Sequence, residues 1–526
     1  LKGQPSASRL SILFNPSALL AAAGMAAPLV VQGRVVAANA KVEDFPQMQG
    51  LKPNEADRKI DAIRQGGELQ KFRTPLPFER DCQDAMWLGL FLLAVVATLG
   101  LGFTSSGALF ERASNHPASK EIHAEHMISG ETLGVLVATS SGASLVAALL
   151  FIKLAHVAPA CVVWTSLIFG PSLTIVMGLA MLLASPLLGL LCILVGALSL
   201  SIVFCCYIHL VPFMIQMTET VSEVIDQHPC MISVGVIGTI LGICWTLAAG
   251  ISFVAIYFNY EDSIDLHDKS TKYAVVFICS LLFAWGGGVA GNICHVTYCG
   301  VFGRWYYKNH EISSASDAAD EATIFPSFKV AVTTSLGSIC LGSLLVAVVR
   351  AAEAVARQMR RDAQEEGNIV MCILVCVIES FISCIGDILE YFNDWAYVQC
   401  AVRGVSFCEA AKITYSMMTC ANVQYIVSDL LLNSLVSTGS FVVAFAGAAC
   451  GAVTGFMLQG GLGASWGGGI GFLIGIIAGS AALGIVNSGV KTILVCWADD
   501  PEGLRKSHPE IHDALQERIQ TNYYNR

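Results

Sequence analysis

The sequence predicts an all-α polytopic membrane protein, a bundle of about ten transmembrane helices, and three observations carry that expectation. From Ala85 to Trp497 the chain is a series of apolar stretches, most of them about 20 residues or longer, parted by short polar breaks. Charged residues make up only 13% of its 526 residues, and the mean hydropathy is +0.63. The runs are also continuous and do not alternate with a period of two. Inside lipid only helices and closed barrels satisfy the backbone, so this pattern selects helices.

The N-terminal segment, 1–84, is expected to lie outside the bilayer. Its first 42 residues carry Lys2, Arg9, Arg34 and Lys41, many Ala and Ser, and no acid before Glu43. That composition resembles an organellar presequence, or the start of a processed or truncated chain, and the chain begins at Leu1 without Met. An Ala-rich patch, Leu19 to Val31, is broken by Pro28, and a polar stretch rich in Lys and Arg follows from Lys41 to Arg80. An excess of basic residues places this segment, of amphipathic or targeting character, on the cytosolic or matrix side.

A membrane domain is expected over 85–497, with spans at 85–104, 132–155, 158–183, 187–208, 231–258, 273–300, 328–350, 369–389, 427–458 and 464–497. The stretch from Met231 to Phe258 is the clearest, since it holds no Asp, Glu, Lys or Arg. The tail, 498–526, carries Arg505, Lys506, Arg518 and Arg526, so both ends share a side and the number of spans is even. One region resists this scheme. Arg350, Arg357, Arg360 and Arg361 fall on the far side against the positive-inside tendency, and the next span contains Glu379 and Asp387. The arginines are read as a helical extension. Otherwise 369–389 is only partly embedded and the parity changes.

In the last two spans Gly447, Gly451 and Gly455, then Gly467, Gly471, Gly475 and Gly479, recur at four-residue spacing. Each set lines one helix face, so the two helices are expected to pack stripe to stripe. A phosphate cradle at Gly460, Gly461, Gly463 and Gly467 to Gly469 lacks the strand, the Lys and the Ser/Thr that such loops use.

Several function classes find no support. The net charge of −10 is spread over loops and tails, which argues against nucleic acid as a partner. No nucleophile elbow, H-E-x-x-H or P-loop occurs, so an enzyme is not expected and no cofactor is implied. Most of the 19 cysteines, including Cys161, Cys192, Cys244, Cys279, Cys340 and Cys450, lie inside apolar runs and act as small hydrophobes. His116, His123 and His126 near Glu121 and Glu125 contain an i, i+3 pair, but no second ligand pair accompanies them, so no metal is expected. The chain has no Asn-x-Ser/Thr sequon.

Polar groups inside spans are costly and therefore mark candidate pathways. The richest segment runs from Phe283 to Tyr307 and holds Trp285, Gly286, Gly287, Gly288, Gly291, Asn292, His295, Tyr298, Trp305 and Tyr306. Three consecutive glycines weaken a helix and allow it to unwind. Trp285, with Trp164 and Trp245 from other spans, could offer aromatic faces to a quaternary ammonium ion. Core packing with interfacial aromatics explains the same residues. Glu379, Asp387 and Asp429 are acids in or beside spans, and one of them could neutralise a cation or carry a coupled proton; each alone also fits a structural role.

Six ordered motifs resemble the choline transporter-like family of membrane proteins, over nearly all of the chain from Arg80 onward. Arg80, Cys82 and Asp84 resemble its opening Arg-x-Cys-x-Asp, and Val211 to Phe213 its V-P-F after the fourth span. Asn292 to Val296, Gly300 and Trp305-Tyr306 are similar to a long span that ends in a Trp-Tyr pair, and Leu336 to Leu345 to a Gly-Ser repeat. The most specific stretch is Asn393 to Lys412, with Asn393, Ala396, Tyr397, Ala401, Gly404, Phe407, Cys408, Ala411 and Lys412 in register. Cys496 to Glu510 resembles the family's tail, with Asp500, Pro501, His508 and Pro509 in place.

The resemblance implies both termini in the cytosol and transport of choline or a related amine by alternating access without ATP hydrolysis. It also implies a central cation site, for which Trp285 and Asn292 are the first choices, with Trp164, Trp245 and Tyr298 as further candidates. The chain departs from the family in having Phe283 and Ala284 before Trp285, where two tyrosines are usual, and in a short first loop, Thr104 to Glu131. Membrane lipids are the other expected partner, and the membrane is the plasma membrane or an organellar one such as the mitochondrial. The rival expectation is a structural subunit of a larger organellar assembly that keeps the fold, whose partners would be the other subunits.

Overall fold

The computed structural model describes residues 38–45, 48, 51–77, 80–107, 130–260, 268–307, 324–420 and 423–524. The presequence-like residues 1–37 and the histidines of the first loop lie outside them. Among the described residues every regular element is helical. The principal helices are α1 (Pro53–Phe72), α2 (Ala85–Thr104), α3 (Gly130–Val157), α4 (Pro159–Met181), α5 (Pro186–Ile202), α6 (Val211–Gln227), α7 (Met231–Tyr260) and α8 (Lys269–Tyr307). They continue with α9 (Ile324–Val332), α10 (Leu336–Glu365), α11 (Ile369–Arg403), α12 (Phe407–Cys420), α13 (Val423–Asp499), α14 (Pro501–Ser507) and α15 (Pro509–Tyr524).

Among the described residues nine helices are long and apolar enough to cross a membrane. The last, Ser434–Asp499, spans 66 residues and folds back on itself at Gln459 and Gly460. Gly460 has φ 64° and ψ −147°, a conformation open to glycine and strained for other residues. This helix therefore crosses twice, which makes ten crossings and an all-α polytopic bundle.

The hairpin closes along its glycine stripes. A Cβ built on Gly451 would lie 2.1 Å from the carbonyl oxygen of Gly467, and one on Gly455 would lie 2.0 Å from that of Gly463. Gly447 meets Gly471 in the same way at 2.5 Å. Backbones thus touch without intervening side chains, the packing that stands in for a hydrophobic effect inside lipid. Helix α3 completes a three-helix unit, setting Ser140 and Ser144 against Gly451 and Gly447.

The arginine-rich region resolves as a long hairpin of α10 and α11. Helix α10 runs unbroken through Arg350, Arg357 and Arg360, and α11 runs unbroken from Ile369 to Arg403. Acids on the facing helices match the cations. Arg350 binds Asp387 at 2.7 Å, Glu390 at 2.9 Å and Glu353 at 3.2 Å. Glu379 takes Arg357 at 3.2 Å and Arg360 at 2.6 Å. The N-terminus of α8 adds Lys272 on Asp362 and Lys269 on Glu366, at 2.7 and 2.6 Å. Paired charge of this kind sits next to lipid far more cheaply than lone charge.

At the opposite end the non-spanning helices α1 and α12 and the C-terminal region lock the bundle. Helix α1 buries Ala56, Ile60, Ile63, Gly66 and Gln70 along one face against α12, and the Ser416 hydroxyl donates to the Ile63 carbonyl at 2.9 Å. Arg403, at the end of α11, is completely buried. It donates to the carbonyl of Gln70 at 2.9 Å, to the Gln399 side chain at 2.7 Å, to the Arg73 carbonyl and to the carboxylate of Asp499. Asp84, ahead of α2, accepts from the Ser338 hydroxyl at 2.7 Å and from the Phe407 amide at 2.8 Å. In the C-terminal region Tyr306 donates to the Asp500 carbonyl at 2.9 Å, and the His508 ring stacks on Trp305 with centroids 4.2 Å apart.

Candidate functional site

Helix α8 is the spine of the candidate site. Its 39 residues form one continuous helix, so Gly286 to Gly288 do not unwind it as their sequence suggested. The glycines make room for neighbours instead. A Cβ on Gly286 would meet the Trp245 ring at 2.1 Å, and one on Gly288 would lie 3.5 Å from Ser343. Trp245 rests in the notch and donates its indole N–H to the Phe283 carbonyl at 3.1 Å.

Trp285, Gly288, Asn292 and His295, spaced i, i+3, i+7 and i+10, share one side of α8, where its side chains meet α10, α11 and α13. Trp285 is 4% exposed, packs edge-on against Phe91 at 5.2 Å and donates to the Cys340 carbonyl at 2.9 Å. Two turns along, the Asn292 amide donates to Ser343 Oγ at 2.9 Å and to Tyr397 OH at 3.4 Å. Asn393 donates to the Gly342 carbonyl at 2.8 Å. Gly342 is needed there, because a Cβ would lie 2.4 Å from the Tyr397 hydroxyl. The Gly-Ser repeat of α10 is thus the acceptor surface for Trp285, Asn393 and Tyr397.

His295 carries the polar seam across to α13. Its Nε2 lies 3.1 Å from the Asp394 carbonyl and its Nδ1 2.8 Å from Ser488 Oγ. A carbonyl only accepts, so Nε2 bears a proton. Beyond it, Lys491 of α13 forms an ion pair with the Asp394 carboxylate, with side-chain exposures of 7% and 21%. The Lys491 ammonium also lies 5.9 Å from the centre of the Tyr391 ring. His295 belongs to the polar segment that the sequence marks, whereas Lys491 and Asp394 lie outside it. A lone Lys in an apolar run and an acid three residues after a tyrosine were the signals.

The remaining candidates divide. Trp245 joins Trp285 at the triple glycine, whereas Trp164 stacks on Phe204 at 6.0 Å in the region where α4 meets α5. Tyr298 is 3% exposed and its hydroxyl, without a hydrogen-bond partner among the described residues, faces Gly235 of α7. Glu379 and Asp387 belong to the ion-pair ladder of α10 and α11 and do not join the seam. The side chain of Asp429 lies outside the described residues. Among the described residues no group of three or more His, Cys, Asp or Glu is placed to hold a metal ion.

Comparison with known proteins places this bundle. A family profile described as plasma-membrane choline transporter matches residues 191–502, more than half of the chain. The chain belongs to that family. Its relatives include Protein PNS1 of Yarrowia lipolytica, 29% identical over 330 residues that make up 59% of this chain and 56% of the relative. Protein PNS1 of Mycosarcoma maydis is 28% identical over 314 residues, 57% of each chain, and a CTL-like protein of Dictyostelium discoideum is 24% identical over 302 residues, 57% of this chain and 51% of its own. The match thus spans a little over half the length of these relatives. Every residue of the polar seam, from Trp285 to Lys491, falls inside the 191–502 match. As a choline transporter-like protein the chain is an integral, multi-pass membrane protein.

Proposed function

We propose that this choline transporter-like protein carries choline or a related organic cation across the plasma membrane or an organellar membrane by ATP-independent alternating access. One observation carries the reading: a polar seam of Trp285, Asn292, His295 and Lys491 runs among four helices of the bundle, apart from the ion-pair ladder of α10 and α11. Polar groups at such depth are costly and are retained where a pathway uses them. Trp285 adds an aromatic surface, and membership in a family described as plasma-membrane choline transporter supports a choline-like substrate.

A second reading, a structural subunit of a membrane assembly that has kept the transporter fold, is favoured by the packing of Trp285. At 4% exposure its indole N–H is already satisfied by Cys340. Uptake of radiolabelled choline into proteoliposomes separates the two. A transporter gives uptake above protein-free vesicles and loses it on Trp285→Ala. Uptake at the level of empty vesicles supports the subunit reading, and uptake indifferent to Trp285→Ala removes that residue from the path.

A further inference from the structure

We propose that Asp394 and Tyr391 form a cation site whose resident occupant is the ammonium of Lys491, a tethered competitor that an incoming quaternary ammonium ion must displace. This deepens the preceding reading and rests on it. Tyr391 and Asp394 are three residues apart on α11 and so share one face. A carboxylate beside an aromatic face is the combination that recognises a quaternary ammonium ion, and here it holds an alkylammonium on a side chain.

Position and access fit that role. The pair lies about 12 Å along α13 from its Asp499 end, inside the bundle and not at its surface. The ammonium is nearly enclosed at 7% exposure, while a fifth of the Asp394 side chain, 21%, remains accessible. A diffusible cation can therefore reach the carboxylate before Lys491 leaves it. His295 holds the Asp394 backbone carbonyl at 3.1 Å, and Asn292 follows one turn away on α8, so the site continues the seam already described. Lys491 approaches from a different helix, so relative movement of α13 and α11 exchanges one cation for the other. A tethered ligand competes at an effective concentration on the order of millimolar. Removing it should tighten binding of a free cation by tenfold or more.

The test titrates purified full-length protein with choline and with tetramethylammonium by calorimetry. Lys491→Gln should lower the Kd for either cation at least tenfold, and Asp394→Asn should abolish binding both alone and combined with Lys491→Gln. If the unaltered protein is silent while Lys491→Gln binds in an Asp394-dependent way, the site stands and the transport reading of the native chain falls. If the native protein binds choline with an affinity that neither substitution alters, the tethered-competitor site is overturned and the transport reading survives on Trp285. Absence of binding in every variant overturns both. Because Lys491→Gln removes the ion-pair partner of a largely enclosed carboxylate, a second measurement uses the native chain: acetylation of Lys491 by acetic anhydride, read by mass spectrometry. Choline should raise the rate at Lys491 several-fold relative to Lys153, whose side chain is 58% exposed. An unchanged ratio overturns the site.

Discussion

Replacing Asp499 by Ala should release the N-terminal helix from the bundle. In the native chain Asp499 neutralises Arg403, and the two side chains are 2% and 0% exposed. Removing one member of such a pair leaves a buried charge, at a cost of about 3–5 kcal/mol. Arg403 would keep Gln399 at 2.7 Å and the Gln70 carbonyl at 2.9 Å, so the lower figure, about 3 kcal/mol, applies. Both the Gln70 side chain and the Arg73 carbonyl converge on this cluster, so the loss falls on the junction of α1 with α11 and α13. About 3 kcal/mol corresponds to roughly a hundredfold rise in the detached population of α1. Limited trypsinolysis in detergent micelles, followed at Lys71 and Arg73, should accelerate by a similar factor where opening is fast relative to cleavage. The double substitution Arg403→Met, Asp499→Leu should restore resistance, since an apolar pair replaces a buried ion pair at little cost. Cleavage of Asp499→Ala at the native rate would refute this account of the junction.

Other substitutions read separate parts of the fold. Gly451→Ala puts a Cβ 2.1 Å from the Gly467 oxygen and should cost about 1–3 kcal/mol in SDS-titrated unfolding; Gly469→Ala, with nothing within 4 Å, should be neutral or stabilising. Glu379→Gln leaves Arg357 and Arg360 without their shared acid and should lower stability by about 1 kcal/mol in the same titration, with no change in choline Kd. In α6, Asp226 has its carboxyl held below the usual value of 3.8, chiefly by the hydrogen bond from Lys153. A depressed folded-state pKa stabilises above that value and the gain disappears as pH falls through the lower folded value. Because both side chains are well exposed, Lys153→Met should matter by less than about 1 kcal/mol at pH 7, should fade in high salt, and should shrink further as acid protonates Asp226.

The bundle could be foretold because lipid imposes a simple rule: uncharged runs of sufficient length become helices. The glycine stripes were equally legible, since close backbone approach requires a missing Cβ on one face. Hydropathy alone hesitated at Arg350 to Asp387, where the acids that neutralise the arginines lie up to 40 residues away on another helix. The same limit hid the Lys491–Asp394 pair, which joins residues 97 positions apart. Helix α1 is polar in overall composition, yet Ala56, Ile60, Ile63 and Gly67 spell an apolar face at helical spacing. Helix α6 likewise announces itself by Met214, Met217, Val221, Val224 and Ile225. Within the site, Trp285 and Asn292 could be picked from α8 alone, but their partners on α10 and α11 emerge only from packing.

The unbroken course of α8 makes it a lever. Its 39 residues extend about 58 Å, well beyond the apolar thickness of a bilayer. One tip is fastened to α10 through Lys269 and Lys272, the other to the C-terminal helices through Trp305 and Tyr306. With no hinge at its glycines, a tilt of about 10° about the midpoint would swing the tips by about 5 Å in opposite directions. Asn292 and His295 lie about 6 and 10 Å from the midpoint at Gly288, so these residues of the seam would move less than either tip.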